Sequence, residues 1–125
     1  MKACAGRIGF AKSGEDTCAA LLERSGYRVI ARNYRKPFGE IDIVALDHDV
    51  VCFIEVKARR SVRFGLPQEA VTAFKQRRIV KTALCFLKEH NMLERKVRFD
   101  VVALLQGAAG DEPQTKIIKA AFTAE

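Results

Sequence analysis

Apolar and polar residues alternate through two segments of similar length, Gly39-Glu40-Ile41-Asp42-Ile43-Val44-Ala45-Leu46 and Val50-Val51-Cys52-Phe53-Ile54-Glu55-Val56-Lys57. This pattern predicts a β-hairpin with its turn between His48 and Asp49. In that register Asp42 faces Glu55 and Glu40 faces Lys57. One face then carries Ile41, Ile43, Ala45, Val50, Cys52, Ile54 and Val56. The other carries Val44, Leu46, Val51 and Phe53 at one end and Glu40, Asp42, Glu55 and Lys57 at the other. Strands this apolar belong in the middle of a sheet, covered on both sides. Like charges set opposite each other are unfavourable there, and unpartnered carboxylates are costly to bury. A divalent cation would convert that repulsion into a binding site. The same residues also fit a solvated sheet edge, with Glu40 paired to Lys57 and Asp42 to a nearby arginine; such surface pairs contribute about 0 to 1 kcal/mol and require no function.

Around this hairpin the chain reads as one α/β domain. A first helix is expected from Ser13, whose hydroxyl can cap it, to just before Gly26. Its inward stripe is Cys18, Ala19, Leu22 and Ser25, and Glu15 lies on the same face as a third candidate acid. A carboxylate in a first turn is also explained by the helix dipole, worth about 0.3 to 1 kcal/mol. Strands are expected over 27–34, 40–46 and 50–58, with Lys36-Pro37-Phe38-Gly39 as the first turn. The loop Phe64-Gly65-Leu66-Pro67 leads into a helix over 68–90 with a stripe at Val80, Ala83, Leu84 and Leu87. In its first half Lys75 and Arg78 share a side with Val71 and Phe74, which turns these cations toward the polar end of the sheet and suggests a kink near Lys75. A strand over 97–105, a loop through Gly107, Gly110 and Pro113, and a last strand over 116–122 complete the order. The long crossover makes the strand at 97–105 parallel to that at 50–58. Arg98 and Asp100 then fall near Val50, away from Glu55 and Lys57, as a structural pair.

A chain of 125 residues suits a single domain able to bury about two thirds of its unfolded surface. The cysteines, Cys4, Cys18, Cys52 and Cys85, show no paired spacing and three fall on apolar faces, as reduced structural thiols do, which argues against zinc. Arg7 and Lys12 interrupt the opening stretch and no apolar run approaches a membrane span, so a cytoplasmic protein without a membrane partner is expected. The net charge of +7 is concentrated: from Arg59 to Lys81 there are seven basic residues and one acid, Glu69. A basic field beside a carboxylate cluster suits a polyanion whose reacting group must be brought to a metal. A solvated helix face serving solubility is the simpler account of the same run.

Gly14-Glu15, Asn33-Tyr34-Arg35, Gly39-Glu40-Ile41-Asp42, Glu55-Val56-Lys57, Lys75 with Arg77-Arg78, and Arg98-Phe99-Asp100-Val101-Val102 together resemble the YraN family. That is an uncharacterised bacterial family similar to archaeal Holliday-junction resolvases of the PD-(D/E)XK nuclease superfamily. The resemblance runs from about Gly14 to Phe122 and leaves residues 1–12 as an N-terminal extension to an endonuclease-like domain at 13–125. Ile41 stands where the superfamily has a proline. The resemblance implies a restriction endonuclease-like fold, a central mixed sheet flanked by helices, with Glu15, Asp42, Glu55 and Lys57 in the nuclease positions.

Residues and resemblance together point to hydrolysis of phosphodiesters, in branched or structured DNA, dependent on Mg²⁺ or Mn²⁺. Asp42, Glu55 and the Val56 carbonyl would hold the ion, and Lys57 would orient the nucleophile or offset charge on the phosphate. Glu15 would ligate a second ion or position a metal-bound water. Arg35, Arg59, Arg60, Lys75 and Arg78 would hold the nucleic-acid backbone. Two other readings stay open, a catalytically silent nucleic-acid-binding module of the same fold and a structural adaptor. A homodimer is compatible with action on a symmetric junction.

Overall fold

The computed structural model describes residues 9–59, 71–105 and 114–124; the side chains of residues 9–13 and of Arg59 lie outside that description. The elements run α1 (Gly9–Arg24), β1 (Arg28–Lys36), β2 (Gly39–Asp47), β3 (Val50–Arg59), α2 (Ala73–Glu89), β4 (Lys96–Leu105) and β5 (Gln114–Phe122). The strands form one mixed sheet in sequential order, antiparallel except for the parallel pair β3–β4. This is the α/β architecture expected, a central mixed sheet with a helix on each face. No helix among the described residues is long and apolar enough to cross a membrane.

Strand alternation sorts the core into two layers. Val44, Val51, Phe53, Phe99 and Val101 face α2 and pack with its Ile79, Ala83, Phe86 and Leu87. Ile43, Ala45, Cys52, Ile54, Val102 and Leu104 face α1 and pack with Cys18 and Leu22. The α2 layer contains a run of aromatic contacts, Tyr34 to Phe86 at 5.1 Å, Phe86 to Phe53 at 5.9 Å, Phe53 to Phe99 at 5.8 Å and Phe99 to Phe122 at 5.0 Å. Such pairs add to the stabilisation that area burial alone provides.

Both helices differ in detail from expectation. Helix α1 begins at Gly9, so Ser13 lies within it rather than capping it, and Ser25 is exposed. Its end is as expected: Gly26 adopts φ 95°, its amide donates to the Glu23 carbonyl, and the Tyr27 amide donates to that of Leu22. That double closure needs a left-handed residue, which glycine supplies without strain. Helix α2 begins at Ala73, with Thr72 Oγ1 accepting the Lys75 amide, so Lys75 sits in a capped first turn and marks no kink. The buried stripe of α2 is Ile79, Thr82, Ala83, Phe86 and Leu87, while Leu84 is 48% exposed. Phe86 displaces Leu84 because its ring completes the aromatic run. Thr82 can be buried because its hydroxyl donates to the Arg78 carbonyl at 2.8 Å.

At the closed end of the hairpin, Asp47 pairs with Val50 across His48-Asp49, and His48 takes φ 59°. Nearby, Asp100 is fully buried and fully used. Arg98 donates to both of its oxygens at 2.9 and 3.0 Å, Tyr27 Oη donates at 3.2 Å, and the Ala120 amide donates at 2.9 Å. Arg98 also binds Asp47 at 2.9 Å, which holds the Asp47 carboxyl down at about 2. The structural pair is thus confirmed, with one correction to its location. Asp100 is in register with Ile54, next to Glu55, and is separated from Glu55 by lying on the opposite face of the sheet rather than by distance along it. Arg98→Ala should leave Asp100 buried with its charge uncompensated and lower stability by roughly 3 to 5 kcal/mol. Urea unfolding measures this, and a loss close to zero would remove the network from the account of stability.

Candidate active site where the central strands part

The site arises because β2 and β3 stop pairing before they end. Their ladder runs from Asp47–Val50 to Ile43–Ile54, and the next residues along are Asp42 and Glu55. Beyond this point the Val56 amide donates to Asp42 Oδ2 at 2.8 Å, so a side chain replaces the backbone acceptor of the neighbouring strand. Ile41 belongs to the α2 layer and not with Ile43, contrary to simple alternation, which marks a change of facing in β2 where it leaves β3. The pairing of Glu40 with Lys57 expected from that alternation is also absent. Glu40 pairs instead with Arg35 at 3.2 Å across the β1–β2 hairpin, and Lys57 pairs with Glu55 at 3.2 Å along β3.

Helix α2 covers this end of the sheet. Gly39 allows the approach, since a Cβ there would collide with Thr82 Oγ1 and stand 3.0 Å from the Arg78 carbonyl oxygen. A cavity of about 730 Å³ remains between hairpin and helix, lined by Asp42 and Glu55 on the sheet, Arg35 and Glu40 at the hairpin end, and Phe74, Lys75 and Arg78 on α2. Lys75 and Arg78 therefore do turn toward the polar end of the sheet. Arg60 lies outside the described residues, as does the side chain of Arg59.

Electrostatically the site is strained. Burial, and then the charge of Glu55, push the Asp42 carboxyl up to about 7, against the Val56 hydrogen bond, with smaller contributions from Glu15 and Glu40. Among the described residues Asp42 has no ion-pair partner. Lys75 is shifted down, chiefly by the close approach of Lys57 and that group's positive charge, and then by burial. Two ammonium groups thus crowd together beside two carboxylates. Among the described residues no group of three or more His, Cys, Asp or Glu side chains is arranged to hold a metal.

Glu15 approaches from α1, on the other side of β1. It is 14% exposed and its Oε1 accepts from Arg32 Nη2 at 3.2 Å and Asn33 Nδ2 at 3.0 Å. Arg32 also binds Asp16 at 2.6 Å. No motif or periodicity singles out Arg32 in advance. Asn33 carried one weak signal: it adopts φ 54°, a conformation in which asparagine is enriched, and this aims its amide at Glu15.

Residues 14–104 match the model of the uncharacterised protein family UPF0102. The chain belongs to that family. A UPF0102 protein of Geobacter sulfurreducens is 50% identical over 109 residues, covering 87% of this chain and 84% of the relative. Another from Syntrophus aciditrophicus is 48% identical over 111 residues, covering 89% and 86%. Among solved structures, the Holliday junction resolvase Hjc of Archaeoglobus fulgidus matches 84% of this chain and 74% of its own, at 19% identity and a TM-score of 0.45. The UPF0102 match takes in Glu15, Asp42, Glu55, Lys57, Lys75 and Arg78, so every described side chain of the candidate site lies within the family region.

The raised Asp42 carboxyl has a consequence for stability. An acid titrating higher in the folded than in the unfolded chain destabilises the fold when ionised; the penalty is absent below about pH 4, grows as pH rises, and is complete above about 7. Asp42→Asn keeps an oxygen for the Val56 amide and removes the charge. It should melt at a higher temperature than wild type at pH 8, with the difference closing as pH falls toward 4. Equal melting temperatures at pH 8 would contradict the charge-strained site.

Proposed function

We propose that the protein is a divalent-metal-dependent nuclease of restriction endonuclease-like fold that hydrolyses phosphodiester bonds in branched or structured DNA. The observation that carries this reading is Asp42: a half-buried carboxylate, fixed by a backbone amide, raised by the charge of a second carboxylate, Glu55, and left without an ion-pair partner among the described residues. An ordinary folded protein gains nothing from such a group, since burying charge without compensation is costly.

The residues fit a small hard cation. Asp42 and Glu55 offer carboxylate oxygens at the edge of an open cavity, and Mg²⁺ typically takes one or two carboxylates while keeping several waters. The Val56 carbonyl would complete the protein's share. An ion there supplies a more acidic water and neutralises charge on the phosphate. Lys57, tied to Glu55 at 3.2 Å, would orient the nucleophile or offset charge growing on phosphate oxygens. Glu15, already gripped by Arg32 and Asn33, acts on Asp42 through its charge and would position a water rather than complete a three-carboxylate cluster. Arg35, Lys75 and Arg78 at the cavity, with Arg59 and Arg60 along the chain, would hold phosphates without reading sequence.

Labelled four-way junctions, flaps and linear duplexes incubated with Mg²⁺ or Mn²⁺ test the proposal. Wild type should cut at least one branched substrate, and the Asp42→Asn, Glu55→Gln double variant should fall to background while still binding DNA. Mn²⁺ should raise the melting temperature of wild type but not of the double variant. Equal cutting by both proteins would refute the assignment. Glu55 is already compensated by Lys57, which favours a second reading, a silent binding module; salt-sensitive DNA binding with no metal effect on melting would select it.

A further inference from the structure

We infer that Phe74 and Arg78 form a stacking platform for an unpaired base, so that the substrate of this site carries an unpaired nucleotide next to the scissile phosphate. The inference rests on the nuclease reading for the phosphate and adds the substrate class. Phe74 is 59% exposed, the most exposed large hydrophobic side chain among the described residues. The other exposed ones, Leu84, Leu93 and Val97, line a separate, apolar groove between α2 and the β4–β5 side, whereas Phe74 lines the cavity that holds Asp42 and Glu55.

An aromatic ring left open at the rim of a cationic cavity is poorly placed for the core and well placed for a flat, electron-rich partner. Arg78, one helical turn on, carries its guanidinium 5.5 Å from the Phe74 ring centroid and restrains it. Lys75, next in sequence, lines the same cavity and lies close to Lys57, so cationic charge accompanies the ring at this site. The cavity, about 730 Å³, falls in the size range of sites that enclose a small molecule, enough for one nucleotide. Phosphate at the carboxylate end and base at the Phe74 end is therefore a consistent placement. In an intact duplex the base faces are buried against their neighbours, so a base reaching Phe74 must be unpaired. Aromatic stacking accepts any base, which agrees with a site whose remaining contacts are cations.

The test uses full-length protein in EDTA, with a flap DNA carrying 2-aminopurine at the unpaired position beside the junction and a fully paired duplex of equal length. Wild type should quench the unpaired 2-aminopurine on binding. Phe74→Ala should lose the quench and bind the flap at least about fivefold more weakly, while its duplex affinity stays unchanged. Phe74→Trp should restore both. An unaltered quench in Phe74→Ala, or an equal loss for flap and duplex, would overturn the proposal. So would unchanged DNA binding, which would leave the ring no part in holding the flap. Cleavage plays no part in the measurement, so a protein that stacks the base but never cuts would refute the nuclease reading alone, and one that cuts without stacking would refute this inference alone.

Discussion

The bond from the Val56 amide to Asp42 Oδ2 is the point on which the rest of the architecture turns. Where two antiparallel strands separate, each leaves backbone donors and acceptors that must find partners. A carboxylate supplies the missing acceptor here. The sheet can therefore open without leaving an unsatisfied amide, and the carboxylate becomes fixed on the strand it came from and the one it reaches. With Glu55 one residue from Val56, the same device that closes the hydrogen-bond account brings two acids to one place. Geometry and electrostatic strain have a common origin.

Asp100, fully buried, and Asp42, half-buried, make this clear by contrast. Asp100 receives hydrogen bonds from Arg98, Tyr27 and the Ala120 amide and serves as a cross-brace joining β4, β5 and the start of β1. Asp42 has one amide and a row of negative neighbours, and its carboxyl rises to about 7. One carboxylate is arranged for stability and the other at its expense. Perturbed groups of the second kind concentrate at functional sites. The compensated network sits on the α1 face and the strained pair opens toward α2, so the sheet itself keeps Arg98 from neutralising Asp42.

Much of this was legible in the sequence, within limits that have physical causes. The hairpin, its turn at His48-Asp49, the parallel β3–β4 pair and the two apolar layers follow from period-two alternation and from the length of the crossover. The partnerships of Glu40 and Lys57 do not, because alternation extrapolates a ladder past the point where it stops, and no residue announces that β2 will turn away. The α2 stripe was read one position off because Leu84 and Phe86 both satisfy a helical period, and the choice depends on aromatic neighbours on other strands. A helix over 68–90 sets Phe74 on one side with Val71, Lys75 and Arg78. Since α2 starts at Ala73, Val71 is not on the helix, and its burial says nothing about Phe74.

Helix α2 has to do two things that conflict, and its sequence divides them along its length. The half from Ile79 to Leu87 buries large side chains against Phe53 and Phe99 and anchors the helix to the sheet. The first turn and a half, Ala73 to Arg78, buries almost nothing and presents Phe74, Lys75 and Arg78 to the cavity. A helix end without core contacts would fray, and here the Thr72 cap and the close seat of Gly39 against Thr82 and the Arg78 carbonyl hold it. Those contacts hold Lys75 and Arg78 at the cavity that Asp42 and Glu55 also line. Precision of that sort comes from the rigid layer behind a site rather than from the site's own contacts. Here that layer is the aromatic run of Tyr34, Phe86, Phe53 and Phe99 under α2, on the face of the sheet toward which the cavity opens.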